Sequence, residues 1–405
     1  MQYRHKILSG FGYHAGFKAF SAAITLLKIS ILARLLTPND FGLFSLTMIA
    51  LGLTEAFTET GINTTIIQSK QSVKYFINTA WVIAIGRGLL ISVIMLFLGL
   101  TMGRYYQEQN LLFLVSLASL IPLVKGFINP AIISYYKKMA FFSDTAYRIL
   151  LATVNTVFSI VLVFYFRSVF SLVLAILLTS IFEVVISFIL FKNKPRFEFV
   201  KSRAESIFSN AKWLNVSAFL GYLNENLDNF LIGKISGTTN LGFYQNAYAL
   251  THKPYEVAQS VHHSTLPVYI RIEKDKKRLK KTSLRVIGLS MLGIIGISLP
   301  LLLFPNYFIL LILGNQWLPV IPLVRVLLLA AILQSFSVLT YSIFIASKKY
   351  IYMNIHLFLT VLTLVASMLF LGNKFGLQGA VWAVLLSRLL TIPIISLGIF
   401  QVYKE

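Results

Sequence analysis

Apolar residues in this chain come in runs of twenty or more, separated by short polar stretches, from one end to the other. A helix needs about 20 apolar residues to cross the hydrocarbon of a bilayer. By that measure the pattern predicts twelve spanning helices, at about 11–35, 41–67, 76–102, 110–134, 143–166, 168–191, 211–234, 241–269, 285–311, 318–346, 350–371 and 376–402. The run at 241–269 is unusually polar, and the division between 285–311 and 318–346 is weakly marked. The first run follows Arg4 and Lys6, is too long for the core of a signal peptide and precedes no small-residue cleavage site. It is read as an uncleaved first helix.

Composition agrees with a membrane solvent. The chain is 57% hydrophobic and 12% charged, whereas soluble domains are roughly 45–50% apolar and ~25% charged. The net charge of +22 would suggest nucleic acid in a soluble chain. Here the basic residues gather between the apolar runs, so no basic face is left for nucleic acid. With both termini cytoplasmic, the inner segments hold 23 Lys and Arg and the outer segments five. A wrong helix count would scramble that alternation, which supports twelve spans in this orientation.

The longest charged stretches are 192–212 and 270–285. The first divides the chain into a six-helix lobe at 1–191, a cytoplasmic linker at 192–212 and a second six-helix lobe at 213–405. The basic stretch at 270–285 is a topology determinant beside anionic membrane lipids. A repeat joins the halves. ILARLLTPNDFGLF at 31–44 and LIGKISGTTNLGFY at 231–244 align without a gap at an offset of 200. Arg34 faces Lys234, Asp40 faces Asn240, Gly42 meets Gly242 and Phe44 faces Tyr244. Six helices per half make such a repeat parallel, with its axis along the membrane normal.

Ionisable groups at membrane depth are expensive and are functional candidates by default. The cations within the spans are Lys18, Lys28, Arg87, Lys125, Arg148, Lys253, Arg325 and Arg388, and the anions are Glu55, Glu59, Glu183, Glu225, Asp228 and Glu256. Simple readings cover several. Arg148 and Arg325 lie near helix ends and can snorkel. Lys253 and Glu256 are spaced for a local ion pair, and Glu225 and Asp228 share a face of the polar run NENLDN. Glu183 suits a hydrogen bond to a neighbouring helix. Lys18, Lys28, Arg87, Lys125 and Arg388 have no acidic partner at helical spacing. They suit a water-filled central cavity with a net positive lining that holds an anionic group in transit, with Lys253 added to the set.

Glu55 and Glu59 lie on one face of the second helix. Two close carboxylates resist joint ionisation, which suits a proton or sodium coupling site. A plain interhelical hydrogen bond is the simpler reading. Glu225 and Asp228 complete the candidates for gating or ion coupling. Pro254 is expected to kink the eighth helix. His252, His262 and His263 do not make a metal-ligand set, and Cys is absent, so no metal or cofactor is expected beyond the coupling ion. There is no phosphate-binding glycine loop, no nucleophile elbow and no room for a catalytic domain outside the membrane.

The blocks LARLLTPNDFGLFSL (32–46), ETGINTTIIQSK (59–70) and LDNFLIGKISGTTNLGFYQNAYAL (227–250) resemble the polysaccharide-export family, the Wzx-type O-antigen and exopolysaccharide flippases. HSTLPVYIRI (263–272), NQWLPVIPLVRVLLLA (315–330) and GLQGAVWAVLLSRL (376–389) extend the resemblance more loosely. The superfamily also holds lipid II flippases and MATE drug antiporters. The resemblance implies an all-α, V-shaped, MATE-like fold of two six-helix lobes in a bacterial cytoplasmic membrane. It implies no enzymatic chemistry but translocation of an undecaprenyl-diphosphate-linked oligosaccharide to the outer leaflet by alternating access. Polysaccharide polymerase and chain-length proteins are the partners it implies. Glu59 matches a family acidic residue two before a glycine in the second helix, and Asp228 matches an aspartate of the seventh. The alternatives are a MATE-type proton- or sodium-coupled exporter of organic cations, which would have a net acidic cavity, and an intramembrane transferase acting on lipid-linked sugars.

Overall fold

A computed structural model describes residues 20–58, 60–138, 140–208 and 211–404. Helix dominates throughout, and the described residues include no strand. In lipid a backbone must satisfy its own hydrogen bonds, and helices do so within one segment.

The first helix, α1, covers 20–35. It ends where Thr37 takes an extended conformation (φ −83°, ψ 161°) and Pro38 starts α2 (Pro38–Phe57). The sequence TPND dictates this break. Proline restricts the residue before it to extended backbone, and its missing N–H is no loss at the first helical position. Thr37 and Asp40 then form a capping box, with the Thr37 N–H donating to Asp40 Oδ2 at 2.9 Å.

Next come α3 (Ile62–Gln68), α4 (Val73–Tyr106), α5 (Gln109–Ala118), α6 (Leu120–Lys125), α7 (Ile133–Lys137), α8 (Phe141–Phe166), α9 (Phe170–Leu190) and α10 (Lys201–Phe208). They continue with α11 (Ala211–Thr251), α12 (Lys253–Ile272), α13 (Lys276–Leu303), α14 (Pro305–Ile312), α15 (Ile321–Ala346), α16 (Tyr350–Ser367) and α17 (Asn373–Lys404). α11 bends sharply at Gly237, whose φ of 83° and ψ of 171° lie in a region that essentially only glycine occupies. Thr37 and Gly237, the breaks of the two aligned segments, are 200 positions apart, which is the offset of the repeat.

Seven helices are long and apolar enough to cross a membrane, among the described residues, and an eighth if the pair Gln109–Lys125 and Pro130–Lys137, bent by 67°, is one span. Length and hydropathy alone therefore do not reach twelve. Two reasons are visible. The stretch Tyr350–Lys404 registers once although it has 55 residues, roughly 80 Å of helix against a ~30 Å hydrocarbon core. It breaks at Gly376 (φ 58°). In addition, α11 and α12 carry too many polar residues to pass. The predicted kink at Pro254 is a full break. His252 caps α12, and the proline occupies its first turn. Large apolar side chains face outward on long helices, for example Phe97 of α4, Leu292 of α13 and Phe400 of α17, each about two-thirds exposed. Lipid is the solvent that makes such surfaces stable.

The chain forms two compact units, Met1–Asn226 and Leu227–Glu405. In the first, α4 packs on α5 and α6, α2 on α4 and α5, and α8 on α9. Residues 193–208 dock onto this unit. Asn129 Nδ2 donates to the Asn193 carbonyl (2.9 Å), Asn78 Nδ2 to Glu198 (2.6 Å), and Trp81 packs edge-on against Phe197. Ala204 and Ile207 of α10 are buried with Ile66, Phe76, Ala80, Ile83 and Ile133. In the second unit α15 is the central packing element, against α12, α13 and α17. Its Leu339, Ile343 and Phe344 share a buried cluster with Tyr269, Leu279, Ile287 and Ile395.

Candidate functional site

A cavity of about 570 Å³ opens within the first unit. α3 contributes Ile62, Asn63 and Ile67, α4 Arg87, α6 Lys125, α7 Tyr136, α8 Asp144, Tyr147 and Arg148, and α9 Glu183. The backbones of α4 and α6 approach so closely that a Cβ on Gly88 would stand 2.4 Å from the Pro122 carbonyl oxygen. A glycine is required there. The contact sets Arg87 and Lys125, neighbours of Gly88 and Pro122 in sequence, on the wall of one cavity.

Each cation of the wall has a polar partner. α2 ends at Phe57 and leaves carbonyls without helical donors. Arg87 supplies them, with Nε donating to the Thr58 carbonyl at 2.7 Å and Nη2 to that of Glu55 at 2.8 Å. Lys125 Nζ lies 4.0 Å from Glu55 Oε1, both side chains about two-fifths exposed. Such a loose pair adds roughly 0–1 kcal/mol. Arg148 reaches back toward the start of α8 along the cavity wall, where Asp144 one turn earlier accepts from its Nε at 2.9 Å and Tyr136 Oη from its Nη2 at 3.1 Å. Asp144 itself is 4% exposed. The expected interhelical bond of Glu183 forms, with the Tyr147 hydroxyl donating to Oε1 at 3.3 Å. The lining thus combines three cations with two carboxylates, rather than presenting unpaired cations alone.

The short α3 is pinned beside this cavity by Lys137. Its ammonium donates to the carbonyls of Ile66 (2.6 Å), Ser69 (2.8 Å) and Gln71 (2.5 Å), at the α3 C-terminus where a positive charge is favoured.

The second unit holds a more buried polar group. Asp228, 5% exposed, accepts from the Tyr244 hydroxyl at 2.5 Å and from the Asn229 N–H at 2.8 Å. Gln245 Nε2 donates to Asn229 Oδ1 at 2.6 Å. The two helix segments joined at Gly237 therefore cross-link through side chains 16 residues apart. Arg388 lies with Tyr248, Thr251 and His252 around a void of about 10 Å³, room for about one water. That void is far too small for a sugar or a diphosphate. His252 stacks on Tyr248, ring centroids 4.4 Å apart. Lys253 and Glu256 form the local pair that their spacing predicts, at 2.7 Å.

Of the remaining sequence candidates, Lys18 and Glu59 lie outside the described residues. Lys28 of α1 donates to Asn155 Oδ1 of α8 at 2.7 Å, a partner 127 residues away. Glu225 is exposed on α11. Among the described residues, then, the first-unit cavity gathers Arg87 and Lys125, with Glu55 at its edge. Sequence reasoning missed Asp144, Tyr136 and Tyr147 on the same wall. The four-residue step from Asp144 to Arg148 was the available signal. It also missed the buried His356, which bonds Tyr341 Oη through Nδ1 at 2.8 Å.

Known proteins share this arrangement of helices. The chain is similar in structure to the lipid II flippase MurJ in an inward closed conformation (TM-score 0.71, 13% identity, 95% of this chain and 86% of that one). It is similar also to an inward-facing multidrug resistance MATE transporter of the MOP superfamily (TM-score 0.69, 15% identity, 95% and 96%). These likenesses establish a MATE-like fold in a multi-pass membrane protein. In sequence it is 23% identical over 346 residues to the lipopolysaccharide biosynthesis protein WzxC of Escherichia coli (strain K12), covering 83% of this chain and 69% of that protein. It is 20% identical over 277 residues to the teichuronic acid biosynthesis protein TuaB of Bacillus subtilis (strain 168), 68% of this chain and 57% of TuaB. The profile of one family matches residues 31–322, well over half the chain, and on that ground the chain belongs to the polysaccharide biosynthesis protein family.

Proposed function

We propose that this protein is a flippase that carries an undecaprenyl-diphosphate-linked oligosaccharide from the inner to the outer leaflet of a bacterial cytoplasmic membrane. In this reading it has twelve spans in two lobes, both termini cytoplasmic, and it works by alternating access as a transporter rather than an enzyme. The observation that carries the reading is the first-unit cavity, where Arg87, Lys125 and Arg148 meet in about 570 Å³. A bare diphosphate cannot enter hydrocarbon. Fixed guanidinium and ammonium groups in a wet cavity replace its hydration, and arginine matches phosphate oxygens with two donors at once.

The paired state of those cations suits transit. A group that binds a diphosphate must also release it. Lys125 can leave Glu55 for a phosphate at small cost, since a pair at 4.0 Å and two-fifths exposed is weak. When the phosphate departs, the carboxylate takes the ammonium back. Arg148 can turn one edge of its guanidinium to phosphate while Asp144 keeps the other. The relatives' names agree with this reading, since MurJ is named for flipping lipid II and WzxC for lipopolysaccharide biosynthesis. Gating or coupling to H⁺ or Na⁺ falls, in this reading, to Glu55, Glu225 and Asp228, together with Glu59 outside the described residues.

The test is the fate of lipid-linked oligosaccharide in cells lacking the protein. Build-up on the cytoplasmic face, with synthesis intact and surface polysaccharide lost, is expected. No build-up, with new sensitivity to cationic drugs, would replace the reading by a MATE-type exporter.

A further inference from the structure

Two turns of the second unit, joining α12 to α13 and α15 to α16, flank an open cavity of about 230 Å³ lined by Glu273, Lys274, Lys276, Ser347 and Lys348. Three ammonium groups against one carboxylate leave it net positive. Ser347 Oγ, behind these lysines, is shut off from solvent without a hydrogen-bond partner. Lys348 has a left-handed backbone (φ 57°). It sits where α15 closes, with the Lys349 N–H donating to the Phe344 carbonyl at 2.8 Å. Glycine or asparagine is the usual residue in such a turn, so lysine is held there against the backbone preference. α13 begins at Lys276 and has 28 residues, about 42 Å of helix against a ~30 Å hydrocarbon core. Its apolar part is long enough to cross that core, which would leave its basic first turns at headgroup depth.

We propose that this cavity binds a phosphate group, and that its depth assigns it to the phosphodiester of an anionic phospholipid headgroup. The three ammonium groups of Lys274, Lys276 and Lys348 supply the donors. The reading is independent of the transported substrate.

The full chain, purified into discs of phosphatidylcholine doped with phosphatidylglycerol, is examined by native mass spectrometry. Wild type is expected to retain phosphatidylglycerol under conditions that strip phosphatidylcholine. Lys274→Gln, Lys276→Gln and Lys348→Gln together are expected to weaken retention by about a hundredfold. Lys348→Gly alone should weaken it about fivefold while leaving thermal unfolding unchanged or raised, because glycine relieves the left-handed backbone. Inorganic phosphate is expected to displace the lipid from wild type; if wild type binds inorganic phosphate and the triple variant does not, while neither retains phosphatidylglycerol over phosphatidylcholine, the phosphate site stands and the lipid source falls. Retention by the triple variant equal to wild type, with no effect of inorganic phosphate on either, would overturn the proposal.

Discussion

Arg87 donates to the Thr58 carbonyl at 2.7 Å, so the cation that lines the cavity also closes the end of α2. Its two roles separate by substitution. Arg87→Ala removes both carbonyl contacts and is expected to lower stability by about 2–3 kcal/mol, read as thermal unfolding in detergent. Arg87→Lys keeps the charge but not the paired donors. It should recover most of the stability and only part of the export. Full export by a folded Arg87→Ala protein would remove the residue from the transport path.

Lys125 and Glu55 are the looser pair, and their energetics should differ in kind. A double-mutant cycle of Lys125→Gln and Glu55→Gln is expected to give a coupling below about 1 kcal/mol in stability. Export should fall at least tenfold in Lys125→Gln. A large stability coupling with normal export would make the pair a structural bridge.

The close approach of α4 and α6 can be tested with one methyl group. Gly88→Ala puts a Cβ 2.4 Å from the Pro122 oxygen and should cost about 1–3 kcal/mol, since the two backbones must part. Gly86→Ala, with nothing within 4 Å of its Cβ, is the control and should be neutral or mildly stabilising.

In the second unit, Tyr244→Phe deprives buried Asp228 of one donor and should destabilise by about 1–3 kcal/mol. Asp228→Asn keeps the shape and removes the charge. If an ion gradient drives transport through this residue, the variant folds but no longer responds to a proton or sodium gradient. An undiminished response would leave Asp228 a structural link across the bend at Gly237.

Much of the fold was legible because it rests on local chemistry. Pro38 starts a helix after an extended residue and Gly237 takes a backbone that essentially only glycine occupies, and the repeat at 31–44 and 231–244 set the two breaks at equivalent positions. Partnerships over long separations were not. Nothing in the sequence ties Lys28 to Asn155, 127 residues on. The stretch 192–212 reads as a cytoplasmic linker from its charges, and its charges do not say where it packs. Phe197, Ala204 and Ile207 dock on the first unit, because apolar residues are interleaved with the basic ones. The cavity was half legible. Arg87 and Lys125 stood out as cations without helical partners, whereas the partners they have are backbone carbonyls and a carboxylate of another helix. A cationic lining was therefore anticipated more simply than the mixed one that forms.

The most direct measurement is transbilayer movement of a diphosphate-linked oligosaccharide lipid in vesicles holding the purified protein, followed by the fraction open to an added lectin or glycosidase. Wild type is expected to expose inner-leaflet lipid much faster than empty vesicles, and Lys125→Gln with Arg148→Gln to fall at least a hundredfold while remaining folded. Movement no faster than in empty vesicles, or equal rates for wild type and the double variant, would contradict transport of the diphosphate through this cavity.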